Sequence, residues 1–169
     1  LLSGAANRDV YAIRRVYLPQ GIVMLLVSMV QQVGMVATGP LTVLTWIGVG
    51  VWVIGMFFEV VGDAQLTAYR AAKKRGEAPP ILDTGVWAWT RHPNYFGDSA
   101  VWWVLFLVTA SSWPGVLTIL SPALMTWALV ARTGKALTEK NMSGRPGHAE
   151  YVRRTSGFFP WPPKPKEAS

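Results

Sequence analysis

The chain has 169 residues, 51% hydrophobic and 15% charged, with no Cys, two His and a formal charge of +7. The low charge and mean hydropathy of +0.27 exclude intrinsic disorder, and the missing Cys excludes a disulfide scaffold and argues against structural zinc. A basic surplus suits nucleic acid, a membrane surface or an anionic cofactor, and the position of the charges decides between them.

The chain opens on Leu1 with LLSGAANRD. Basic residues follow the short apolar start instead of preceding it, which is not a signal-peptide pattern. The opening predicts that an N-terminal portion precedes this chain. Two windows then lack Lys and Arg altogether, one between Arg15 and Arg70 and one between Arg91 and Arg132. The first holds two apolar runs, 16–38 and 41–62, split by Gly39-Pro40. Each reaches the roughly 20 residues that a membrane-spanning helix needs. The second window breaks at Ser111-Ser112-Trp113-Pro114-Gly115, a tight-turn composition. Pro122 is expected to kink the helix after it.

The fold predicted is all-α: a polytopic membrane bundle of four transmembrane helices in two hairpins. The expected helices are 16–38, 41–73, 95–110 and 116–142, followed by a cytoplasmic C-terminal helical segment. The extent predicted is one membrane domain over 1–169, with a Pro-rich tail at 160–169. All 16 Lys and Arg lie in the stretches 8–15, 70–91 and 132–166, on one side of such a bundle. The positive-inside rule makes that side cytoplasmic, with both ends of this chain there. Gly48, Gly55 and Gly62 recur every seven residues on one helix face, where another helix could approach closely. A membrane-protein partner is one candidate for that face, beside the surrounding lipids.

Three patches could carry chemistry. Glu59, Asp63, Leu66 and Arg70 share a helix face at the end of the second run. Acidic groups at membrane depth favour a wet cavity, and the plainer reading is a helix end reaching water. The second patch is GVWAWTRHPNYFGD at 85–98. Pro93 disfavours helix at His92, and Asn94 can cap a helix starting there. Arg91, His92 and the first backbone N–H groups suit a phosphate or carboxylate. Gly97 permits close backbone approach, and the plainer reading is an interfacial turn. The third patch spans 132–161. It sets Arg132, Lys135 and Glu139 on one helical face, a turn at Gly144-Arg145-Pro146-Gly147, and a short helix at 148–155 bearing Tyr151 and Arg154. Its plainer reading is a basic segment on anionic lipid. Walker, GxGxxG, HExxH and GxSxG patterns are absent, and the aromatic residues sit in the apolar runs, which disfavours nucleic-acid binding.

The RHPNYFGD block resembles the cofactor-binding signature of membrane steroid 5-alpha-reductases, sterol C14/C7 reductases and isoprenylcysteine carboxyl methyltransferases. The blocks FEVVGDAQL and GKALTEKNMSGRPGHAEYVRRTSGFFPWPP agree in order, so the resemblance covers nearly the whole chain. It is closest to a bacterial branch described as a domain of unknown function with a steroid-5-alpha-reductase-type C-terminal half. The resemblance implies NADPH at the cytoplasmic helix ends. Asp63 and Arg70 match an acidic-then-basic pair, Asn94 and Tyr95 match an Asn-Tyr, and Asp98 matches an acidic position. Arg132, Lys135 and Glu139 fall where charged cofactor ligands lie, and Tyr151 matches a Tyr nine residues before Pro160. The chain departs from the family in two ways. Nothing here matches the N-terminal half that polarises the substrate carbonyl, and Glu59 replaces a neutral amide.

The expected function is an NADPH-dependent reductase of a lipidic enone or alkene in the bacterial inner membrane. Cofactor residues are Asp63, Arg70, Arg91, His92, Asn94, Tyr95, Asp98, Arg132, Lys135, Glu139 and Tyr151, and Glu59 is the catalytic candidate. The alternatives are a non-catalytic membrane subunit of a larger complex and an S-adenosylmethionine-dependent lipid methyltransferase.

Overall fold

The computed structural model describes residues 5–36, 40–132 and 135–165, the side chains of 5–7, 132 and 136 excepted. Regular structure among the described residues is helical, with one isolated β-bridge, Thr90 to Ser156, and no strand. Helix α1, Ala5–Ala12, runs through a π-helical stretch, Ile13–Tyr17, into α2, Leu18–Val36. The first helix therefore starts well before residue 16, and residues 37 and 38 of the expected run lie outside the described residues. Pro19, the second residue of α2, stands two positions after the end of the π-helical stretch. It has no N–H for the carbonyl one turn back and its ring crowds that carbonyl, so the backbone widens there.

Helix α3, Val43–Lys74, matches the expected 41–73 closely. Thr42 caps its start, and the Thr42 N–H bonds the Thr45 hydroxyl at 3.3 Å. Gly76 ends it at φ +77°, a left-handed conformation that suits glycine. Its 32 residues extend about 48 Å. That exceeds a bilayer core of roughly 30 Å, so one end of such a helix projects beyond it. After the short helix α4, Val86–Trp89, helix α5 runs Pro93–Thr109. It begins one residue earlier than the expected cap at Asn94. His92 is the cap, in non-helical backbone at φ −142° and ψ 62°, and Pro93 takes the first helical position, where its missing N–H is harmless.

The expected last helix, 116–142, is a series of shorter pieces. These are a 3-10 turn at Gly115–Ile119, α6 at Leu120–Trp127, a π-helical stretch at Ala128–Arg132, and α7 at Lys135–Met142. The 3-10 turn passes into α6 two residues before Pro122. Pro122 sits in the first turn of α6, where N–H groups have no helical acceptor. Helix α8 is His148–Arg154, after the expected turn, which closes with Arg145 N–H on Met142 O and His148 N–H on Arg145 O.

Helix α5 is central. It packs on α3 along one side and on α2 and α6 along the other. Gly48, Gly55 and Gly62 are buried in the α3–α5 contact. The face expected to serve a separate membrane protein is thus taken by α5 of the same chain. A methyl on Gly55 would stand 2.7 Å from Ala100 Cβ and 3.2 Å from Gly97 O. On the other side, the Ser121 hydroxyl donates to Leu26 O at 3.0 Å and accepts the Val30 N–H at 3.3 Å. Short polar side chains of this kind join apolar helices.

Two helices, Arg8–Val36 and Val43–Lys74, are long and apolar enough to cross a membrane. Only 6% and 17% of their most apolar windows are buried, whereas the core helix of a soluble protein is mostly buried. Helix α5, with 17 residues, and the broken stretch Gly115–Ala131 are shorter. The α3–α5 contact makes a direct prediction. Gly55→Ala should destabilise the protein by about 1–3 kcal/mol through overpacking. Gly50→Ala, which meets nothing within 4 Å, should be neutral or stabilising. Thermal unfolding of both variants in detergent measures the difference.

Candidate functional site

The site forms where the end of α3, the 85–98 segment and the C-terminal segment meet. Trp87 Nε1 donates to Gly62 O at 3.0 Å, and the Val86 N–H donates to Gln65 Oε1 at 3.2 Å. These bonds tie α4 to α3. A strap over 155–161 covers the other side. The Arg91 N–H bonds Ser156 O at 2.9 Å, the Thr90 hydroxyl bonds Phe158 O at 2.8 Å, and the Trp161 N–H bonds Trp89 O at 3.0 Å. The Tyr151 hydroxyl donates to Trp87 O at 2.7 Å, and Arg154 pairs with Asp83.

Glu139 of α7 is the junction of this arrangement. Its Oε1 accepts Arg91 Nε and Nη2, both at 2.9 Å, and His92 Nε2 at 3.2 Å. Arg91 Nη1 bonds Thr155 O at 2.6 Å and Val152 O at 3.2 Å. Arg91 and His92 were expected to receive an external anion. In the structure the anion they hold is Glu139. Burial pushes the His92 imidazole down to about 4, against the opposing pull of Glu139. Burial works to raise the Glu139 carboxyl, but hydrogen bonds and charge from Arg91 and His92 hold it below its ordinary value. A carboxylate can only accept, so neutral His92 carries its proton on Nε2. Burial raises the Tyr151 hydroxyl, which stays protonated as a donor.

A cavity of about 370 Å³ opens beside this junction. Arg70, Arg91, His92, Asn94, Tyr95, Glu139 and Tyr151, drawn from three separate stretches of the sequence, line it. Asp63, Asp98, Lys135 and Glu59 do not. Asp63 is exposed on the outer face of α3. Glu59 packs at Gly97, where a methyl would meet Glu59 Cβ at 2.6 Å. Gly97 therefore admits α3, not a ligand. Of the shared face on α3, only Leu66 and Arg70 reach the cavity. The Arg132 side chain lies outside the described residues.

Several lining residues were not singled out in the sequence as ligand contacts. Lys73 follows Leu66 by seven residues on the same face of α3, a signal that was present. Trp87 and His148 also line the wall, as does Arg145, which the sequence marked only as part of a turn. Arg70, Lys73 and Arg145 have no ion pair among the described residues, while Glu139 is already neutralised by Arg91. The cavity is therefore cationic. Its flat walls come from Trp87, Tyr69 and a His92–Tyr95 stack with rings 5.4 Å apart and nearly parallel.

The family model described as Protein of unknown function (DUF1295) matches residues 4–155. The chain belongs to this family. The matched span includes every helix from α1 to α8 and the whole cavity wall. No curated protein and no solved structure matches the chain.

The junction predicts acid sensitivity. His92 has a folded value below its unfolded 6.5, so the unfolded chain takes the proton first. Its contribution is complete above pH 6.5 and is lost as pH falls toward 4. The melting temperature should drop across that window, and His92→Asn should flatten the drop. Glu139→Gln should cost roughly 1–3 kcal/mol at neutral pH by leaving Arg91 without its carboxylate. Thermal melts from pH 4 to pH 8 test both.

Proposed function

We propose that this chain is an integral membrane protein whose cationic cavity binds NADPH, and that it reduces a lipidic enone or alkene. The observation that carries the cofactor reading is the convergence of Arg70, Lys73 and Arg145, without carboxylate partners, on one aromatic-walled cavity. Arg70, Arg145 and Lys73, the last with its ammonium over the Tyr69 ring at 5.8 Å, fit the pyrophosphate and 2′-phosphate of the cofactor. They suit S-adenosylmethionine poorly, since its sulfonium is itself positive. Trp87 and Tyr95 offer flat surfaces for aromatic rings. Asn94 Oδ1 accepts the Tyr95 N–H at 3.1 Å, which leaves its amide nitrogen as a donor for ribose or carboxamide oxygen. The chemistry NADPH brings when bound is hydride donation.

The unburied apolar faces of Arg8–Val36 and Val43–Lys74 support the membrane reading. A four-helix arrangement adds α5 and the Gly115–Ala131 stretch as the second hairpin. Arg70, Lys73, Arg91 and Arg145 all line the cavity, and the positive-inside rule then supports a cytoplasmic orientation of that end in a bacterial inner membrane. The likeness to steroid and sterol reductases in the 85–98 block supplies the reaction class. One observation favours a second reading, a non-catalytic membrane subunit of a larger complex: Glu59, the catalytic candidate, is not among the residues that line the cavity.

The test is thermal stability of the full gene product in detergent with NADPH, NADH, S-adenosylmethionine or no addition. NADPH at 100 times its dissociation constant should add about 2.7 kcal/mol. Arg70→Ala and Arg145→Ala should each weaken NADPH at least about tenfold, the loss expected for one charged hydrogen bond. Stabilisation by S-adenosylmethionine instead would overturn the cofactor assignment.

A further inference from the structure

His148 lines the cationic cavity and is nine-tenths buried, at 9% exposure. Its backbone N–H bonds Arg145 O at 3.1 Å, so one turn of chain brings both residues to the same wall. The imidazole itself has no hydrogen bond and no ion pair to any described residue. Buried polar groups are normally satisfied, so a ring left open on a cavity wall points to a ligand. The neighbouring rings show the contrast. His92 is held by Glu139, the Tyr151 hydroxyl by Trp87 O, and the Tyr69 hydroxyl by Pro79 O and Pro80 O. Tyr95 stacks on His92, and a tyrosine hydroxyl ordinarily changes charge only near about pH 10.

Charge on the wall is one-sided. Helix α3 presents Arg70 and Lys73, the turn presents Arg145, and the 85–98 segment presents Arg91 and His92. The carboxylate on the wall, Glu139 of α7, is already taken by Arg91 and His92. On α8 itself Arg154 pairs with Asp83, while Glu150 and Arg153 are exposed. No carboxylate lining the cavity is therefore left for His148. An oxyanion entering the cavity supplies what the ring lacks, an acceptor and a negative charge. Histidine is the side chain that ordinarily changes charge between about pH 5 and 8, and an adjacent anion favours its charged form.

We infer that His148 contacts the oxyanion bound in the cationic cavity, and that this anion draws a proton onto the ring as it binds. The proton comes from solvent, stays on the imidazole and is donated as a hydrogen bond to the anion. The bound state then holds more protons than the empty one, so affinity falls as pH rises. The inference rests on the cavity being an anion site, but not on a nicotinamide or on any reaction.

The experiment titrates inorganic sulfate into the full gene product in detergent, followed by calorimetry. Sulfate neither gains nor loses a proton near neutral pH, so any proton exchanged belongs to the protein. From pH 6.5 to 8.5, above the acid loss at the His92 junction, affinity should fall about fivefold, as expected for one imidazole that gains an anionic neighbour. Buffers of different ionisation enthalpy should report uptake of roughly half a proton per sulfate near pH 7.5. His148→Gln should bind sulfate with no pH dependence. His148→Lys, charged throughout this range, should bind tightly at both ends of it. Loss of affinity in both variants alike would mark His148 as structural and overturn the proposal. Sulfate binding by the wild type without proton uptake would also overturn it, and that measurement stands even if neither variant folds. If neither sulfate nor NADPH binds at pH 6.5, the anion-site reading itself fails, and the proposal with it.

Discussion

Gly55 faces Ala100 and Gly97 at a separation that leaves no room for a methyl group. Gly62 repeats this at Pro93, where a methyl would lie 3.0 Å from the ring. This close approach fixes the start of α5 against the last apolar turns of α3. Everything at the cavity end inherits that constraint. With Pro93 pressed on Gly62, His92 leaves the helical conformation and Trp87 reaches Gly62 O. Arg91 and His92 are then carried to the point where α7 delivers Glu139.

The Glu139 junction and the cationic cavity have different electrostatic roles. At the junction, one carboxylate receives three nitrogen donors, and the Arg91 charge is matched within the protein. Along the cavity wall, Arg70, Lys73 and Arg145 are left for a ligand. A buried matched pair fixes geometry because breaking it leaves a charge without a partner. Unmatched cations on a concave wall attract an anion. The structure thus separates the residues that shape the site from those available to bind.

Much of this was legible in the sequence because it depends on local spacing. The long helix over 41–73, a helix start near Asn94, and the Gly-Arg-Pro-Gly turn each follow from chain-local sterics. The glycine spacing on α3 announced a close helix contact, although not that α5 makes it. Pairing across the chain was not legible. Glu139 lies 48 residues from Arg91, and no periodicity records that distance. Arg145 reads as a turn residue until the fold turns it toward the wall. Glu59 shares a face with Arg70 in projection, but the two are eleven residues apart. Gly97 accepts the first, while the second lies beyond the α5 contact.

The central claim is that the cationic cavity takes a phosphorylated nicotinamide cofactor. The most direct measurement is an equilibrium titration of NADPH into the detergent-solubilised full gene product, followed by nicotinamide fluorescence. The account predicts a saturable change that NADH competes with weakly and that Arg145→Ala shifts to higher concentration. A flat titration of folded protein, or full displacement of NADPH by S-adenosylmethionine, would contradict it.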